Sequence, residues 1–101
     1  MPIQKVGDGA TQHYISFRRP YTIIKVFNDW HVRIQRDMAV LVSGNDRAGN
    51  AVYEFKRNPL GEILDITRRK ENGVEVWRIM GKSTGSTFTF GERAMWDDPE
   101  Y

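Results

Sequence analysis

Asn72-Gly73 constrains this chain more than any other feature. Both residues tolerate positive φ, and a two-residue turn of that kind joins two antiparallel strands. With the turn fixed, the register follows by counting. Glu71 faces Val74, Lys70 faces Glu75, Arg69 faces Val76, Arg68 faces Trp77, Thr67 faces Arg78 and Ile66 faces Ile79. Lys70–Glu75, Arg68–Trp77 and Ile66–Ile79 share one face, as an ion pair, a cation–π pair and an apolar pair. Arg69–Val76 and Thr67–Arg78 share the other. One register makes all of these neighbours compatible, which supports a hairpin over residues 62–81. The competing reading is a helix capped by Asn58 and Pro59, with Leu60, Ile63, Leu64 and Thr67 on one stripe. Gly61 and the β-branched Ile63, Ile66 and Thr67 oppose it.

The rest of the chain is written in the same style. Trp30, Val32 and Ile34 alternate with His31, Arg33 and Gln35, the pattern of a strand with one buried face. A β-rich run over 21–27 precedes it, joined through an Asn28-Asp29 turn. Residues 13–17 form a shorter candidate strand, ended by Arg18-Arg19-Pro20. After Asp37, residues 38–42 are apolar on both faces, so a bulge or kink is expected near Arg36–Asp37. Residues 43–50 read as a loop, and 51–56 as a strand with Tyr53 and Phe55 on one side. Asn58-Pro59-Leu60-Gly61 is a turn with Pro at its second position. Residues 81–86 are a small-residue loop and 87–90 a last strand. Residues 92–98 suit a short helical turn carrying Met95 and Trp96, stopped by Pro99.

These elements predict a single all-β domain over 1–101. It is an antiparallel meander of about seven strands, closed as a small barrel or roll, with a short C-terminal helical turn. The expected core is Ile23, Val26, Trp30, Val32, Ile34, Val40, Val42, Tyr53, Phe55, Leu64, Ile66, Trp77, Ile79, Phe88 and Phe90.

Composition narrows the function classes. The 101 residues contain no cysteine, which excludes disulfides, Cys-ligated metals and a Cys nucleophile. Two histidines, His13 and His31, cannot make a three-His metal site in one chain. No apolar run approaches the ~20 residues of a membrane span, and the first ten residues lack the apolar core of a secretory leader. A reducing compartment, the cytoplasm, is therefore expected. Residues 1–91 hold 14 basic and 9 acidic side chains, while 92–101 hold Arg93 against Glu92, Asp97, Asp98 and Glu100. The body is mildly basic (+5) and the tail acidic (−3).

No catalytic constellation emerges. There is no nucleophile elbow or established triad order. His13 and His31 are candidates for a general base in a barrel mouth. Asp37 and Asp65 each interrupt a strand-like run; either can be an inward carboxylate, and an edge or turn position is the favoured reading. Asn45-Asp46 with Asn50 lacks the acidic spacing of a calcium loop. The run Gly81-Lys-Ser-Thr-Gly85 contains Gly-Lys-Ser, but Val76 stands where a P-loop needs its first glycine. Its amides and Lys82 can still hold an anion. Neither a metal nor a cofactor is expected.

The stretch Gly49-Asn-Ala-Val-Tyr-Glu-Phe followed by Pro59-Leu-Gly-Glu-Ile resembles one unit of the tyrosine–aspartate repeats of Rhs-type shells. Glu54 stands where that pattern has Asp and no second copy follows, so the resemblance is one of hairpin grammar and no function carries over.

Three functional readings stand. The first is a non-enzymatic binding or adaptor module that self-associates as a homodimer or binds a protein partner, because an open meander leaves unpaired edge strands. The second is a ligand-binding barrel, enzymatic or not, with a mouth lined by His31, Arg33, Arg68, Trp77 and Arg78. The third, less favoured, is a single-stranded nucleic-acid binder using interleaved aromatic and basic residues. No membrane partner is expected.

Overall fold

A computed structural model describes residues 4–44, 51–82 and 84–97. Nine strands follow one another among them. They are β1 (Gly9–Tyr14), β2 (Phe17–Asn28), β3 (His31–Arg36), β4 (Met38–Ser43), β5 (Val52–Lys56), β6 (Ile63–Glu71), β7 (Val74–Ile79), β8 (Thr87–Phe90) and β9 (Trp96–Asp97). Six of them close a barrel. β1, β2, β3, β6, β7 and β8 pair antiparallel in that order, and β8 pairs back onto β1. This is the predicted all-β meander, and closure leaves no free edge within the ring. β4 and β5 form a separate two-stranded sheet inserted between β3 and β6, and β9 pairs with the first two residues of β2. Among the described residues no helix is long and apolar enough to cross a membrane.

Every pair counted from Asn72-Gly73 is present in the β6–β7 hairpin. Both turn residues have positive φ, 51° at Asn72 and 81° at Gly73. The inner face holds Ile66 and Trp77, both buried. The Trp77 ring meets Phe90 edge-on at 4.9 Å. Arg68 reaches diagonally to Glu75, 3.9 Å away, so the ion contact assigned to Lys70 belongs to Arg68.

The core is the inner surface of the ring. Ala10, Tyr21, Ile23, Val32, Ile34, Ile66, Trp77 and Phe88 fill it, with Val26, Leu64, Ile79 and Phe90 packed around them. The Tyr21 hydroxyl lies 3.2 Å from both Gln12 Oε1 and Glu62 Oε1. Burial, reinforced by the Glu62 charge, pushes this phenol well above its ordinary pKa.

Four sequence expectations need correction. The β2–β3 turn is Asp29-Trp30, because the Asn28 side chain accepts the Trp30 N–H (3.0 Å) and holds Asn28 at the strand end opposite His31. Trp30 therefore stands at the turn, 51% exposed, outside the core. Secondly, β2 runs straight through Arg18-Arg19-Pro20. The Pro20 carbonyl accepts the Asp37 N–H, so its missing donor faces the same side of β2. On that side β9 ends at Arg18 and β3 begins at Tyr21, so Pro20 sits where no partner needs a donor.

Thirdly, the break expected near Arg36–Asp37 is an exit from the barrel. β4 pairs with β5 alone, so Val40 and Val42 are 37% and 54% exposed, and Tyr53 and Phe55 are half-buried. Fourthly, residues 92–95 have no regular structure and lead into β9, and no helical turn forms there. Their hydrogen bonds go to the barrel wall. The Thr11 hydroxyl donates to the Glu92 carbonyl (2.7 Å), and Arg93 reaches across Gly9.

Arg93 closes a buried polar cluster outside the barrel. Its Nε donates to Asp37 Oδ2 at 2.8 Å, and its second arm donates to the Thr22 hydroxyl and the Gly7 carbonyl. The Thr22 hydroxyl donates to Asp37 in turn (2.7 Å), and Arg57 lies 4.0 Å from the same carboxylate. The C-terminal segment is thereby strapped over β1 and β2 at the point where the chain leaves β3.

Candidate functional site

Up-and-down connectivity sorts the loops between the two barrel ends. The tight turns Asp29-Trp30 and Asn72-Gly73 share one end. The other carries the β1–β2 turn, the inserted β4–β5 arm and the β7–β8 loop. That second end holds the molecule's two distinctive surfaces.

The first surface is a cleft of about 540 Å³ between the β1–β2 turn and the β7–β8 loop, lined by His13, Tyr14, Ile15, Arg18 and Gly85. Its two walls are tied together. Gln12 Nε2 donates to the Ser86 hydroxyl at 2.9 Å, and Arg78 donates to the Gly85 carbonyl at 3.2 Å. Arg78 is itself held by Glu71 through two bonds of 2.7 and 2.9 Å. Those bonds hold the Glu71 carboxyl below its ordinary range. His13 Nε2 bonds the Thr89 hydroxyl at 2.7 Å, and Arg18 donates to the Tyr14 carbonyl at 3.2 Å. Partial burial, then the Arg18 charge, lowers the His13 pKa.

The second surface is the arm. Met38, Val40, Leu41 and Val42 of β4 and Val52 of β5 are all exposed. β5 carries an exposed Glu54–Lys56 pair at 3.9 Å, whereas β4 carries no charge at all. The outer edge of β4 has no strand beside it among the described residues.

The five residues expected to line a barrel mouth do not converge. Trp77 lies in the core, and Arg68 stands directly opposite it across the β6–β7 hairpin. Arg78 points outward and braces the β7–β8 loop. His31 and Arg33 also point outward, since Val32 and Ile34 between and beyond them are buried inside. There they gather with Asp65. Arg33 donates to Asp65 at 2.8 and 3.3 Å, and His31 Nε2 lies 3.8 Å from the same carboxylate with no hydrogen-bond partner. The His31 ring stacks on Phe27 at 4.2 Å, with Lys25 and Arg33 also over that ring.

The Arg33 hydrogen bond holds the Asp65 carboxyl below its ordinary range, against the opposing effect of burial. A depressed folded pKa stabilises the native state above the unfolded value of about 3.9, and that contribution disappears as pH falls through the folded value. Arg33→Ala is expected to return Asp65 toward its ordinary value, read from side-chain carboxyl shifts in an NMR titration.

Sequence reading noticed His13 and the 81–85 loop separately. It missed that they meet, and it missed Arg18 as their companion. The signal was the short turn after Tyr14, which brings Arg18 back opposite His13. The Asn45-Asp46-Asn50 stretch lies outside the described residues, and among those described no three His, Asp or Glu side chains gather as a metal would require. Comparisons with protein-family models, curated proteins and solved structures found no match for this chain.

Proposed function

We propose that this protein is a non-enzymatic binding module that self-associates through the outer edge of β4. The observation that carries the reading is the β4 edge, uncharged and, among the described residues, unpaired, on a two-stranded arm separate from the barrel sheet. Natural edge strands are usually guarded by charge, proline or cover. β5 has such guards in Glu54 and Lys56, and β4 has none. A lone two-stranded hairpin is marginally stable in water, and a second copy would widen it to four strands.

The β4 sequence is self-complementary. Two-fold antiparallel pairing about Val40 sets Val40 against Val40 of the second copy, Met38 against Val42 and Ala39 against Leu41. Every pair is apolar and no like charges meet. The nucleic-acid alternative is weaker, because two of the outward arginines are already engaged by carboxylates, Arg33 by Asp65 and Arg78 by Glu71. A cysteine-free chain suits a reducing compartment, and the cytoplasm is our placement.

Absence of native cysteine makes the register testable. Directly opposed residues in an antiparallel pair have Cα atoms about 4.5–5.5 Å apart, within disulfide reach. Val40→Cys is expected to oxidise rapidly to a disulfide-linked dimer. Leu41→Cys, exposed on the same strand but facing Ala39, should lag by at least tenfold. Equal, slow rates at both positions would reject this pairing.

A further inference from the structure

We propose that Asp37 is a switch between the C-terminal strap and the β4–β5 arm, in which two arginines compete for one buried carboxylate. The arm leaves β3 through Asp37 and returns from β5 through Arg57. The exit is fixed by backbone. The Arg36 N–H donates to the Glu62 carbonyl (2.8 Å), and the Asp37 N–H donates to the Pro20 carbonyl (2.9 Å). Ahead of the stitched turn at 58–61, the return is held by one side chain. Arg57 donates to Gln35 Oε1 at 3.4 Å and stands 4.0 Å from Asp37 Oδ1.

The two oxygens of Asp37 face different cations. Oδ2 accepts Arg93 Nε at 2.8 Å, and Oδ1 faces Arg57. Arg93 therefore holds the tight contact and Arg57 the loose one. Charge-assisted bonds of this kind close to about 2.7–2.9 Å, which leaves the Arg57 side about an ångström of travel. The Asp37 side chain is 1% exposed, so water cannot replace Arg93 when the strap lifts. Arg57 is the nearest remaining cation among the described residues. It closes on Asp37 and draws the root of β5 with it. Half-exposed to water, Arg57 restores only part of what Arg93 supplied. The Arg93 side chain is 30% exposed, so an anionic group of a partner has access to it. The two states differ in which arginine Asp37 holds, and that difference couples strap to arm. The output rests on the self-association reading, since moving the arm re-aims the β4 edge.

The test is intramolecular. The chain has no cysteine, so nitroxide labels at Val52→Cys on the arm and Lys70→Cys on the barrel report one distance by pulsed electron spin resonance. Both sites are exposed. The background is Val40→Lys, diluted with unlabelled chain, so that no second copy contributes. Arg93→Ala is expected to move the mean distance by about 2 Å or more, because the arm acts as a lever on the closure at its root. Adding Arg57→Ala should abolish that shift. Thr11→Val frees the Glu92 carbonyl and keeps the Asp37 pair, so it loosens the strap by a milder route and should shift the distance the same way. No shift in Arg93→Ala, or in Thr11→Val where Arg93→Ala does not fold, would overturn the switch. So would a shift that survives Arg57→Ala. The readout needs no dimer, so a monomeric parent would reject the β4 reading alone.

Discussion

Gly61→Ala is expected to melt about 15–25 °C below the parent, the shift that a loss of about 3–4 kcal/mol produces in a domain of this length. A Cβ placed on Gly61 falls 2.1 Å from the Arg36 carbonyl oxygen, which is main chain and cannot rotate away. The turn at 58–61 must then lift off the end of β3. Lifting it strains three bonds that stitch it down. The Arg36 N–H donates to Glu62, and Gln35 Nε2 donates to the carbonyls of Pro59 and Gly61. Gln35 is buried, so its amide would lose partners without gaining water. Thermal unfolding followed by circular dichroism measures the effect. A melting point within a few degrees of the parent would show that the turn does not rest on β3 as described.

Removing the Asp37 carboxylate is the second large effect. Its side chain is 1% exposed and receives Arg93 and Thr22. Arg93→Ala strands that buried charge, and the half-exposed Arg57 at 4.0 Å is a poor substitute. Breaking such a pair from one side costs about 3–5 kcal/mol. Asp37→Ala leaves the partly exposed Arg93 instead, so about 2–4 kcal/mol is expected. The double variant should cost less than the sum of the two, because the second loss removes the stranded partner. Denaturant titration of all three decides this. Additive losses would mean that Asp37 and Arg93 act separately.

These two residues also mark where the sequence stopped being legible. The β6–β7 hairpin could be counted residue by residue, because a two-residue turn leaves no freedom in register. Barrel closure was harder. It depends on β1 pairing with both β2 and β8, and no short-range signal reports a pairing separated by some eighty residues. Trp30 misled because alternation continues into a turn whose end is set by one Asn28 hydrogen bond. Val40 and Val42 misled because an apolar run with no polar face reads as buried, whether the second layer is this chain or another. Asp37 looked like a strand breaker and is one, but its partner Arg93 lies in a tail that composition alone presents as solvated. At the cleft, His13 and Gly85 were each visible, and only the closed ring sets them side by side.

Self-association through β4 is the proposal on which the functional reading rests. Sedimentation of the parent chain beside Val40→Lys, from low to high micromolar concentration, tests it most directly. Val40 is already partly exposed on the arm, so lysine should leave the barrel's melting point within a few degrees. A concentration-dependent dimer is expected for the parent. Dissociation should be at least about tenfold easier for Val40→Lys, where two like charges meet at the two-fold axis. A parent that remains monomeric to high micromolar concentration, or a dimer indifferent to lysine at 40, would contradict it.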